Sequence, residues 1–151
     1  MIARNIRMNR KKIRGAVAVE MAFFMIPLVI MAFGVAEFGR AMYEYNTLTK
    51  SVRDGVRHVS QSSPTDALKT EAIRLVVYGT TLGASPEPLL PNLNEGMVGI
   101  TEMVDATTGI NMITVTITGY RFDFIFNPMV FSGNAATSIT FDDIHATMRQ
   151  L

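Results

Sequence analysis

The hydrophobic pattern changes period twice along this chain, and the changes divide it into three kinds of structure. From Ala16 to Ala36 nearly every residue is apolar, and Glu20 is the single charge. Beyond this run apolar residues recur at three-, four- and seven-residue steps: Phe38, Tyr45, Leu48, Val52, Val56 and Val59. That is the stripe of an amphipathic helix. Glu37, Arg40, Glu44, Arg53 and Arg57 fill its other faces, and Glu37 with Arg40 and Arg40 with Glu44 have the spacing and signs of helix-neighbour ion pairs. Ser60-Gln61-Ser62-Ser63-Pro64 breaks the pattern. Asp66 to Tyr78 predicts a second helix with Leu68, Ala72, Leu75 and Val76 on one side and Gly79 to end it. Pro86, Pro88 and Pro91 make residues 83–96 a loop.

The third period is two. Val98, Ile100 and Val104 alternate with smaller or polar residues, and a turn falls at residues 105–109. Ile113, Val115 and Ile117 alternate with Thr114, Thr116 and Thr118, the pattern of a half-buried strand. Tyr120 to Phe131 is rich in aromatics and broken at Pro128. It reads either as core or as an exposed docking patch. Ile139 and Phe141 share one parity, whereas Ile144, Ala146 and Met148 share the other. A bulge at Asp142-Asp143 accounts for the flip. The predicted fold is α+β: a long helix over about residues 16–60, a short helix, and an antiparallel sheet of three to four strands with one face covered by the helices. Residues 1–15, 16–60 and 61–151 are its three parts.

Charge changes the reading of the first part. Residues 1–14 carry six bases, Arg4, Arg7, Arg10, Lys11, Lys12 and Arg14, and no acid. The remainder has eight bases against thirteen acids, so the overall +1 averages two unlike segments. A basic cluster beside a membrane-length apolar run follows the positive-inside rule, with a cytoplasmic N-terminus and the C-terminal domain on the far side. A nucleic-acid arm is the less economical reading. As a helix, residues 16–36 span about 31 Å at ~1.5 Å per residue, close to the ~30 Å hydrocarbon core. A secretory signal cut after Ala36 competes with a retained anchor, but the helical register continues past that point. Pro27 lacks a backbone donor and predicts a kink, either a structural bend or a place where the helix loosens on packing.

Glu20 asks for a reason, since a carboxylate near a membrane helix centre costs about 2.5–3.5 kcal/mol, less near its end. If the chain is cut after Gly15, the new α-ammonium on Ala16 of a neighbouring subunit can pair with Glu20 in low dielectric.

The basic leader, Gly15 and Ala-Val-Ala-Val-Glu-Met opening an apolar helix resemble the type IV pilin class of signal. More closely, residues 14–22, Pro27-Leu28, Glu37-Phe38-Gly39-Arg40 and Val52-Arg53-Asp54-Gly55-Val56-Arg57 resemble the TadE-like minor pilins of tight-adherence pilus systems. The resemblance implies cleavage between Gly15 and Ala16 by a prepilin peptidase, with Glu20 guiding subunit docking. It also implies an inner-membrane protein with an extracytoplasmic cap, whose partners are the peptidase, other minor and major pilins, the assembly platform and lipid. Met21 stands where the family more often has Phe or Tyr. The alternative is an extracytoplasmic binding domain on an uncleaved signal anchor.

The sequence offers no enzyme chemistry. The absence of cysteine excludes disulfides, thiolate metal sites and a cysteine nucleophile. There is no phosphate-binding glycine loop, no His-Glu-x-x-His and no nucleophile elbow. His58 and His145 lie far apart, and Asp142 and Asp143 on a strand would face opposite ways. No catalytic residue, metal, cofactor, nucleic acid or small-molecule substrate is expected.

Overall fold

A computed structural model describes residues 10–82, 87–106, 109–127, 133 and 136–151, with the side chains of residues 10–14 excepted. Arg4 and Arg7 of the leader, Pro86, and Pro128 and Phe131 of the aromatic segment lie outside the described residues. The chain begins with one helix, α1 (Arg10–Ser60), which passes through Gly15, Pro27 and Ala36 as a single element. It starts within the basic leader rather than after Gly15. α2 (Asp66–Tyr78) follows with the predicted bounds. The Thr65 side chain caps its first turn by accepting from the Leu68 N–H at 3.3 Å. Gly79 ends it at φ 72°, where a residue without Cβ is favoured.

Five strands complete the cap: β1 (Val98–Val104), β2 (Asn111–Ile117), β3 (Arg121–Asp123), β4 (Ser138–Thr140) and β5 (Ile144–Arg149). They form an antiparallel sheet in the order β1-β2-β5 and a separate two-stranded pair β3-β4. β2 is central, with Val115 opposite Ile100 on one side and Ala146 on the other. Its Ile113, Val115 and Ile117 are buried under the helices. The parity flip near Asp142 has a different cause from a bulge. The chain leaves one sheet after Thr140 and enters the other at Ile144, so the two parities belong to two strands.

The core is two layers, α1 and α2 over the larger sheet. Leu48, Val52, Val56 and Val59 of α1 are fully buried with Ala72, Val76 and Val77 of α2. The helices cross at Gly55, where an added Cβ would lie 2.4 Å from Val76 Cγ2. The glycine thus permits a close approach of α2. The proline-rich loop contributes more than a connection. Leu90 and Leu93 are buried, and the Leu89 N–H donates to the Val77 carbonyl at 2.8 Å. A helical turn at Glu95–Met97 then leads into β1. The chain end is tied back to the helix, with the Leu151 N–H donating to the Ser60 carbonyl at 3.0 Å.

The stripe predicted on α1 is corrected at its inner end. Phe38 is 68% exposed and Tyr45 is 45% exposed, while Glu37 and Glu44 are only 8% and 5% exposed. Between Glu37 and Glu44 polar residues face inward and apolar ones outward. The reason is the neighbour: this part of α1 meets the β3 segment rather than the aliphatic core.

Candidate functional site

The sequence points to three places along α1, which the fold treats differently. At the first, Gly15 and Ala16 lie within the helix, and nothing would meet a Cβ added at Gly15. Arg10, Lys11, Lys12 and Arg14 occupy the turns just before. Glu20 is exposed one turn on, without an ion pair among the described residues. The Gly15–Glu20 segment is therefore exposed along its length.

The second place is the apolar run. α1 is long and apolar enough to cross a membrane, and its most apolar window has no burial inside the chain. Val17, Met21, Phe24, Leu28, Met31 and Val35 are among its exposed side chains. The helix continues through Pro27 as one element, and the ring of Pro27 helps to line a shallow apolar groove with Ile30, Met31, Gly34, Val35 and Phe38. Burial of such a surface in lipid or against other apolar helices is what the hydrophobic effect demands.

The third place is the neck, where α1 leaves the apolar run and enters the cap. Here the Glu37, Arg40 and Glu44 side chains share one helix face. Arg40 donates from Nη2 to Glu37 Oε2 at 2.8 Å and from Nη1 to Glu44 Oε1 at 3.1 Å. It also donates to the carbonyl oxygen of Asp123. Its guanidinium carbon lies 4.1 Å from the centroid of the Phe122 ring, a cation–π contact. Glu37 uses its other oxygen to accept from the Phe126 N–H at 3.2 Å. The Tyr120 hydroxyl lies 2.8 Å from Glu44 Oε2 and 2.9 Å from the Pro91 carbonyl oxygen. Its one proton goes preferentially to the charged acceptor. Burial, and then the Glu44 hydrogen bond, push the Tyr120 hydroxyl well above the ordinary tyrosine value of 10.0.

These contacts run in order. Tyr120 meets Glu44, Asp123 meets Arg40, and Phe126 meets Glu37. The Phe126 ring then packs on Phe33 with centroids 4.9 Å apart. The β3 segment is thus antiparallel to α1 and descends along it toward the apolar run. Of the aromatic stretch, Tyr120 and Phe122 are core, whereas Ile125 is 85% exposed.

Sequence reading found the Glu37–Arg40–Glu44 spacing but placed it on the solvent side. It missed Tyr120, the Asp123 carbonyl and the Phe126 amide as partners. The available signal was the Tyr-Arg-Phe-Asp-Phe alternation at residues 120–124, which marks a strand with an aromatic face. Away from the neck, His58 lies 3.3 Å from Glu71 Oε2. No group of three or more potential metal ligands occurs among the described residues.

No curated protein and no solved structure matches the chain. A family model does, described as TadE-like protein, over residues 15–57. The matched stretch opens at Gly15 and holds Glu20, the apolar run, the Glu37-Phe38-Gly39-Arg40 neck and Gly55 at the helix crossing. Over this stretch, from Gly15 to the outer, core-forming turns of α1, the chain is similar to the TadE-like family.

Proposed function

We propose that the chain is a minor pilin or pseudopilin of a tight-adherence pilus system. The observation that carries this is the split character of α1. Its outer turns form the core of the cap, while its apolar half, of membrane length, has none of its most apolar window buried among the described residues. Such a helix fits a subunit that rests in lipid and later exchanges lipid for neighbouring helices. The match beginning at Gly15 supports the same reading.

In this scheme the basic leader stays cytoplasmic, and a prepilin peptidase cuts between Gly15 and Ala16. The α-ammonium of one subunit then meets Glu20 of another. Pairing offsets the desolvation of both charges and selects a register between helices. The cap lies outside the inner membrane and takes part in pilus assembly, adhesion and biofilm formation. The protein is a substrate of the peptidase and a partner of other pilins and the assembly platform, with no catalysis of its own.

Intact mass and N-terminal sequence of membrane-extracted protein, with and without a prepilin peptidase, test the proposal. The expected result is a peptidase-dependent start at Ala16, lost in Gly15→Leu. A chain that still begins at Met1 beside an active peptidase overturns it, and so does one that begins at Glu37. Glu20→Leu is expected to be processed normally but to lose co-purification with partner pilins.

A further inference from the structure

Membrane contact need not end with α1. Four observations at the neck converge on the segment after β3. First, the segment reaches too far down to stay in water. Phe126 packs on Phe33 and lines an apolar groove with Met25, Ile26, Val29 and Ile30. At ~1.5 Å per residue, Phe33 and Val29 lie about 5 and 10 Å inside the end of a span that closes at Ala36. Second, the side chain next to it faces outward: Ile125 is 85% exposed. An isoleucine held beside a membrane helix at this depth meets hydrocarbon or its boundary.

Third, three backbone groups along the descent have partners within the chain. The Phe124 N–H donates to the Thr137 carbonyl, the Phe126 N–H donates to Glu37, and the Asp123 carbonyl accepts from Arg40. Internal satisfaction of backbone groups is what a lipid environment requires. Fourth, the two carboxylates of the neck on α1 are turned away from the surrounding medium. Glu37 and Glu44 are buried against Arg40, and the outward positions hold Phe38, Met42, Tyr43 and Tyr45. Exposed tyrosines above an apolar belt have the composition of a membrane interface. Water would favour the reverse arrangement, with the carboxylates outside and the aromatics inside.

We infer that the turn after β3, at Ile125 and Phe126, is a second membrane-contacting element, seated in the extracytoplasmic leaflet beside α1. The Glu37–Arg40–Glu44 cluster holds it there by pairing one cation with both carboxylates and by satisfying the Asp123 carbonyl and the Phe126 N–H, which would otherwise face lipid. The cap would then sit against the bilayer rather than swinging free on its helix. This rests on residues 16–36 being a membrane span, as in the proposed function.

The chain has no cysteine, so single labelling sites can be introduced cleanly. Full-length protein carrying Ile125→Cys, Leu28→Cys or Arg53→Cys is labelled with an environment-sensitive fluorophore. Each is reconstituted alone in phosphatidylethanolamine–phosphatidylglycerol vesicles. Quenching by nitroxide-labelled lipid and by aqueous iodide is then read at each site. The expected result is that the label at 125 follows the label at 28: quenched by lipid nitroxide, and several-fold less accessible to iodide than the label at 53. A label at 125 that behaves like the one at 53, with the one at 28 still in lipid, overturns the inference and leaves the span intact. That outcome would reserve the face for a protein neighbour. A label at 28 in water overturns the span and the inference together. Ile125→Cys replaces an exposed side chain, so its folding is not at issue.

Discussion

The two ends of α1 hold similar side chains in opposite surroundings. Leu48, Val52, Val56 and Val59 are fully buried, while Leu28, Met31 and Val35, further down the same helix, are exposed. Both segments are helical and apolar. What separates them is the cap: α2, β2 and β5 pack on the outer turns, whereas the inner turns stay exposed among the described residues, with Phe126 resting on Phe33. An apolar helix therefore acquires its role from what covers it. The neck between the two ends inverts the ordinary rule, burying carboxylates and exposing aromatics, because Tyr120, Asp123 and Phe126 cover its charged face.

This contrast can be broken or sharpened by substitution, with stability read from urea unfolding of the full chain in detergent. The largest effect is expected at the outer end. Leu48→Ala should destabilise the cap by about 2–5 kcal/mol, whereas Leu28→Ala should leave it within about 0.5 kcal/mol of the parent. Equal losses at both positions would mean that the inner half is also part of a folded core.

At the neck, Arg40→Met leaves two buried carboxylates without their cation. Loss of one partner from a buried pair costs about 3–5 kcal/mol, and partial exposure of Arg40 brings the expectation toward 2 kcal/mol. An unchanged midpoint would show that Glu37 and Glu44 do not depend on Arg40.

Tyr120→Phe removes a smaller contribution, about 1 kcal/mol, and carries a pH signature. The folded hydroxyl ionises above the ordinary value of 10.0, so the unfolded chain loses this proton first. The stability from this group is full below pH 10 and declines as pH rises above it. The variant should show a shallower loss of stability on the alkaline side. An identical slope would remove Tyr120 from the network.

The smallest effect is expected on the far side of the cap. Lys69 Nζ lies 2.6 Å from Glu102 Oε1, and this hydrogen bond raises the lysine above its usual value. Both side chains are substantially exposed, so Lys69→Gln should leave the unfolding midpoint unchanged within experimental scatter. A clear shift there would show that surface pairing matters as much as the buried neck.

Much of the architecture was legible in the residues. Period and Gly79 located α2 to its last residue, and the structure adds the Thr65 cap at its start. Ile113, Val115 and Ile117 identified the central strand, since their alternation depends only on strand geometry and one covered face. Leu90 and Leu93 were not legible as core. Three prolines mark a loop but do not say which of its side chains turn inward. The strand exchange near Asp142 was read as a bulge because parity reports a flip and not its cause.

The candidate site divides in the same way. The basic residues, Gly15, Glu20 and the apolar run are consecutive in sequence; charge and length mark a membrane-length helix, and the roles of Gly15 and Glu20 are what the family resemblance implies. Even the Glu37–Arg40–Glu44 pairing is local, as it needs only a helix. Which way that face turns was decided by Tyr120, Asp123 and Phe126, residues 76 to 89 positions away. A periodic pattern reports the amphipathicity of one element. Only tertiary packing supplies the partner that makes a charged face the inside and an aromatic face the outside.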